Sequence, residues 1–257
     1  MRRLTDRLWM VVGPAWLLLI GVFIVLPFAG FAQTVPEKLV YELSWTGIPV
    51  GTATQEISEE GELHRIVSTA RSNDWLSVFF PVDDRIESTL AKTGGPFPGL
   101  TLHYRMRINE GGRHRDREIV FHQEKGVAIF RDRLSGERLE IGITPPIFDV
   151  YGSFYYARHL PLEVGNTYMV KVLDGKKVVK VEVRVLRKER VKTVLGELDT
   201  IVIRPMVRSE GVFEGKGAVH IWLTDDHRRI PVRAQTKVTV GSVTADLVGG
   251  SYGPARR

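Results

Sequence analysis

Tyr151, Phe154, Tyr155, Tyr156, Arg158 and His159 form the densest aromatic group in the chain. On a helix, Tyr151, Tyr155 and Arg158 share a face, because residues three and four apart are neighbours. Such a face offers a ring for stacking and a guanidinium for an anion or a π-cloud. The competing reading is packing: aromatics on a short helix seal the end of a β core, and rings of this size gain much from burial. Arginine is dense as well, from Arg105 through Arg107, Arg113, Arg115, Arg117 and Arg131 to Arg133. The guanidinium fork suits phosphate or carboxylate, so a lipid headgroup or an acidic glycan fits chemically. Glu110, Asp116, Glu118, Glu124 and Asp132 lie among them, and cross-strand ion pairs would take up much of that charge.

Asp225-Asp226-His227 has the residue types of a cation site or a proton shuttle. Adjacent residues of an extended chain point to opposite sides, so the three converge only in a sharp turn. Asp-Asp-His-Arg-Arg is good turn material, and a carboxylate that holds the backbone or pairs with Arg228 or Arg229 is the expectation. Asp83-Asp84 reads the same way. No His-Glu-x-x-His pair, Gly-x-Gly-x-x-Gly turn or phosphate-cradling Gly-Lys-Ser/Thr loop occurs. The seven histidines show no ligand spacing, and the absence of cysteine excludes thiolate metal sites, disulfides and a cysteine nucleophile. The expectation is therefore no catalytic constellation, no metal and no cofactor.

The elements that must position these residues follow a period of two. Leu100, Leu102, Tyr104, Met106 and Ile108 alternate with polar neighbours, and Val179, Val181, Val183 and Val185 alternate with Lys180, Glu182 and Arg184. The valine face should bury, and Glu182 should lie on a wet face where a lysine is tolerated. Further strands are read over Leu39–Trp45, Val50–Ile57, Leu63–Ala70, Arg85–Ala91, Arg117–His122, Val127–Arg133, Thr167–Leu173, Leu198–Pro205, Ala218–Leu223, Val232–Val240 and Ser242–Val248. Asn109-Glu110-Gly111-Gly112 and Asp174-Gly175 close hairpins, since both tolerate positive φ. Between Pro145-Pro146 and Pro161, Asp149 caps a helix in which Val150, Phe154 and Ala157 recur at helical spacing, although Gly152 weakens it. The fold class is mainly β: an antiparallel, strongly curled sheet, barrel-like or a half-barrel, with one short helix and a half-boundary near 145–161. In Ile48-Pro49-Val50 and Ile230-Pro231-Val232 the proline should begin an edge strand.

Three stretches resemble a known family. They are Leu39-Val40-Tyr41-Glu42-Leu43-Ser44-Trp45 with Gly47-Ile48-Pro49-Val50-Gly51, then Asp149 to Arg158, and Trp222-Leu223-Thr224-Asp225-Asp226 leading to Ile230-Pro231-Val232. The chain is similar over Lys38 to Val248 to the exported bacterial proteins grouped as domain of unknown function 3108. The resemblance implies an exported β-rich protein and brings no catalytic residue or cofactor with it.

Arg2, Arg3 and Arg7 precede a stretch, residues 8–32, without a charged residue. It exceeds an ordinary signal core and reaches the roughly 20 residues that span a bilayer. Residues 1–32 are thus a signal peptide cleaved before Gln33, with Gly30 and Ala32 as the small residues, or a signal anchor holding residues 8–28 in the membrane. Either way the arginines stay cytoplasmic and residues 33–257 are an exported β domain, periplasmic or anchored in the inner membrane facing the periplasm. The net charge of +6 is spread among interleaved acids and bases, which excludes a nucleic-acid stripe. The leading functional expectation is non-enzymatic binding of an apolar or amphipathic envelope molecule or partner: a lipid, a glycolipid or an envelope protein. Its candidate contacts are Tyr151, Tyr155, Arg158, Trp222 and Arg105. The alternatives are an envelope polysaccharide or lipid hydrolase using a carboxylate pair, and a structural envelope factor without ligand.

Overall fold

A computed structural model describes residues 36–94, 97–208 and 219–252; the segment read from sequence as a signal peptide or anchor, residues 1–32, lies outside them. The first antiparallel run is β1 (Glu37–Trp45), β2 (Ile48–Glu60), β3 (Leu63–Ser72), β4 (Asp83–Ala91), β5 (Leu100–Glu110), β6 (Arg113–His122), β7 (Val127–Asp132) and β8 (Arg138–Gly142). The second is β9 (Thr167–Asp174), β10 (Lys177–Thr193), β11 (Gly196–Arg208), β12 (Val219–Thr224), β13 (Pro231–Lys237) and β14 (Ser242–Ser251). The one-turn helix α1 (Asp74–Ser77) lies in the β3–β4 connection, and α2 (Val150–Arg158) joins the two runs.

All the strands form one 14-stranded sheet in the order β8 to β1, then β14 back to β9. Pairing of β1 with β14, in which Lys38 faces Ser251, makes the halves continuous. The 145–161 segment thus separates two runs of one sheet. The sheet is curled but not closed, with β8 and β9 as its edges. The chain before α2 reaches across toward the far edge: Ile143 N donates to Gly126 O at 2.8 Å, and Phe148 exchanges bonds with Lys171 O and Leu173 N at 3.1 and 2.8 Å. Both predicted hairpin turns form, with Gly111 at φ 56° and Gly175 at φ 57°, where any side chain would be strained.

The structure departs from expectation in instructive places. Pro231 begins β13 and Pro49 is the second residue of β2, but β2 and β13 are interior strands. Each proline sits beside a register shift, at Leu43/Ser44 and Trp222/Leu223, where the ladder is already interrupted. Glu182 alternates with the valines as read, yet it is 4 % exposed and pairs with Arg184. Its face is therefore not simply wet. Glu182→Lys would place a second cation against Arg184 in a desolvated setting, and we expect a loss of about 2–4 kcal/mol in urea unfolding. A change below about 0.5 kcal/mol would return Glu182 to the solvated face.

Candidate functional site

The central element is α2, fixed inside the curled sheet at both ends. At its N-terminus Asp149 accepts from Tyr151 N at 2.8 Å and Gly152 N at 3.1 Å, which caps the helix. Its other carboxylate oxygen accepts from Ser88 Oγ of β4 at 2.7 Å and Thr101 Oγ1 of β5 at 2.8 Å. Burial pushes the Asp149 carboxyl up, and these hydrogen bonds pull it back. Gly152 is what allows the close approach: a Cβ there would lie 2.7 Å from Thr101 Oγ1 and 3.3 Å from Leu90 Cδ2. The residue that weakened the helix signal is required by helix-on-sheet packing.

At the C-terminal end Arg158 makes a two-pronged pair with Glu37 of β1, both contacts 2.8 Å, with both side chains 1 % exposed. Its remaining donors reach Arg229 O at 3.0 Å and Arg228 O at 3.1 Å, so the helix end is bolted to the turn before β13. Burial opposes the Arg158 charge, but Glu37 more than offsets it and holds the guanidinium firmly protonated. Tyr155, fully buried, donates to Glu37 at 3.4 Å and stacks 5.0 Å from the guanidinium.

The opposite side of α2 floors a cavity of about 820 Å³. Val150, Tyr151, Phe154 and Ala157 form the floor, and β1–β3 together with β9–β14 form the walls. Eight valines line it, among them Val179, Val181 and Val183 of β10, so most of its surface offers dispersion contacts and no hydrogen bond. A few polar groups interrupt this surface, and most are already engaged. Thr54 bonds Thr69 at 2.8 Å, and Arg233 bonds Asp246 at 2.5 Å. Gln55 lines it too, with its amide beside the Tyr155 hydroxyl. Asp174 is the one carboxylate among the lining residues, so the cavity does not hold a pair of acids at glycosidase spacing.

Of the residues predicted from sequence, Tyr151 lines the cavity. Tyr155 and Arg158 do share a side of the helix, but that side faces the buried pair with Glu37 and not the cavity. Trp222 is 7 % exposed in a second core cluster with Leu39 and Val202, and its indole N–H donates to Glu189. Arg105 lies on β5 in an ion pair with Asp116 at 3.1 Å, away from the cavity. The arginine-rich strands are laced by cross-strand pairs as read, with Arg117 to Asp132 at 3.2 Å and Arg133 to Glu118 at 3.3 Å. Asp226 holds its turn by accepting from Thr224 Oγ1 at 2.7 Å and from Arg228. Although partial burial opposes it, those bonds hold its carboxyl below the usual range. Missed were Gln55, Phe154 as a floor residue, and the valines as a cavity wall.

In a comparison with solved structures, the chain is similar to the crystal structure of a β-barrel-like protein of domain of unknown function DUF1849 from Brucella abortus. The TM-score is 0.61 at 11 % identity, covering 86 % of this chain and 99 % of that one, a likeness of fold alone. No curated protein matches the chain significantly. The model of the protein family of unknown function DUF3108 matches residues 40–248, and with most of its length inside that match the chain belongs to this family.

Proposed function

We propose that this protein is a non-enzymatic binding protein of the bacterial cell envelope, holding an apolar or amphipathic molecule, in the first instance one with an acyl chain, above α2. The observation that carries the reading is the cavity itself. At about 820 Å³ it falls within the roughly 300–1,000 Å³ usual for ligand sites, and its wall is apolar with a few polar points. Gln55 supplies one such point on the wall, its amide beside the Tyr155 hydroxyl. The arginines at 2, 3 and 7 and the uncharged stretch that follows support placing the domain on the periplasmic side, after cleavage or on an anchor. Lipid, glycolipid and envelope-protein partners all belong to that setting.

The test fills the cavity. Ala234 and Ala245 face each other on β13 and β14 and both line it. Ala234→Phe and Val181→Phe should lower binding of N-phenyl-1-naphthylamine, an apolar fluorescent probe, at least roughly tenfold, with the thermal midpoint held or raised. Native mass spectrometry of protein taken from envelopes, followed by lipid extraction, should show a bound lipid in the wild type. Unchanged probe binding in both variants, or a wild type that binds neither probe nor lipid, would overturn the reading. Turnover of the bound molecule would make the protein an enzyme instead.

A further inference from the structure

Antiparallel connectivity sends the β1–β2, β3–β4, β5–β6 and β13–β14 connections to one end of the sheet. The helix end bolted by Arg158 and Glu37, the first residue of β1, lies at the other end. The cavity walls reach the first end through Val179, Val207 and Val219, each within three residues of a strand terminus there. At this same end the turn tips display Trp45, Ile48, Trp75, Val78, Phe79 and Val240. Val78 is 77 % and Phe79 82 % exposed, values unusual for such side chains.

The tips form a connected ridge. Trp45 Nε1 donates to Val240 O at 2.8 Å, Trp75 Nε1 to Pro49 O at 3.1 Å, and Gly111 N to Pro81 O at 2.8 Å. Each bond ties one turn to the next. They also leave both indoles with their N–H groups satisfied while the rings stay about half exposed, so neither ring would carry an unpaired donor into an apolar phase. Nearby charge is partly internally compensated, with Arg71 on Asp83 at 3.0 Å.

We propose that this ridge seats on a lipid bilayer, with the cavity mouth facing the membrane. A ridge of exposed apolar turn tips matches a deformable apolar phase, which needs no complementary shape, and tryptophan is at home at a bilayer interface. Continuity with the cavity mouth gives the seat a purpose, since an acyl chain could pass between membrane and cavity without crossing water. The seat rests on the cavity reading for that purpose alone, and it is tested separately.

The chain has no cysteine, so Phe79→Cys and Val194→Cys each give the full-length protein a unique attachment point for an environment-sensitive fluorophore. Val194, 57 % exposed at the β10–β11 turn, marks the opposite end. With neutral phosphatidylcholine vesicles, the position 79 probe should shift to the blue and become accessible to lipid-borne quenchers, while the position 194 probe stays in water. The effect should survive high salt, because the attraction is apolar. With the probe moved to Ile48→Cys, adding Val78→Asp and Phe79→Asp should cut the lipid-embedded fraction at least roughly tenfold. A position 79 probe that stays in water, or one that shifts with protein concentration in the absence of vesicles as a second copy would cause, overturns the proposal. Probe displacement from the cavity can succeed or fail independently of these results.

Discussion

Arg158→Ala should lower stability by roughly 3–5 kcal/mol in urea unfolding, the range for removing one partner of a buried ion pair. The cost arises from what is left behind more than from what is lost. Glu37 would remain 2 % exposed with its partner gone, and the carbonyls of Arg228 and Arg229 would each lose a donor. The double variant Glu37→Leu with Arg158→Met should recover most of the loss, because apolar groups of similar volume avoid the desolvation of both charges. Arg158→Lys should stay well short of wild type, since an ammonium cannot present the two-pronged fork that meets both oxygens of Glu37. A single-variant loss under about 1 kcal/mol would mean that water reaches the pair. Because this bolt holds the cavity floor, the probe that reads cavity binding should also lose affinity in Arg158→Ala at temperatures where the protein is still folded.

Why the sequence revealed the walls but not the room follows from the range of each signal. Alternation along Val179 to Val185 reports which side of a strand turns inward, and the strands formed where it was read. It carries no information on whether atoms from elsewhere fill the space those valines face. The same limit applies to α2. Asp149 was legible as a cap because its partners Tyr151 and Gly152 are local. Its grip on Ser88 and Thr101, 61 and 48 residues away, left no local trace. Arg158 and Glu37 are 121 residues apart, so the arginine was free, in a linear reading, to serve a ligand. Strand β8, short and exposed over most of its length, has too little buried face to leave a pattern. Glu182 shows the opposite error, a correct alternation with a wrong solvent assignment, because the covering of a strand's outer face is decided by chain far from it.

At the other end of the helix, Asp149→Ala should cost roughly 3–5 kcal/mol: about 1 for the lost cap and the remainder for the hydroxyls of Ser88 and Thr101 left buried without an acceptor. Asp149→Asn separates the two roles a carboxylate plays here. Asparagine caps helices as well as aspartate, and its amide can donate to hydroxyls that rotate to accept. Its cost should be near 1 kcal/mol, provided the site needs hydrogen bonds rather than charge. The pH dependence supplies an independent check. Burial raises the Asp149 carboxyl above its ordinary 3.8, so as pH climbs past that value the unfolded chain releases this proton before the native state does. Over that window the group's contribution to stability falls with rising pH, and it levels off once the native carboxyl has also ionised. Stability measured from acid toward neutral pH should therefore decline less in Asp149→Asn than in the wild type. If asparagine costs as much as alanine, or if the wild type alone gains stability through this window, then the negative charge itself holds the helix, and the four donors around Asp149 outweigh its burial.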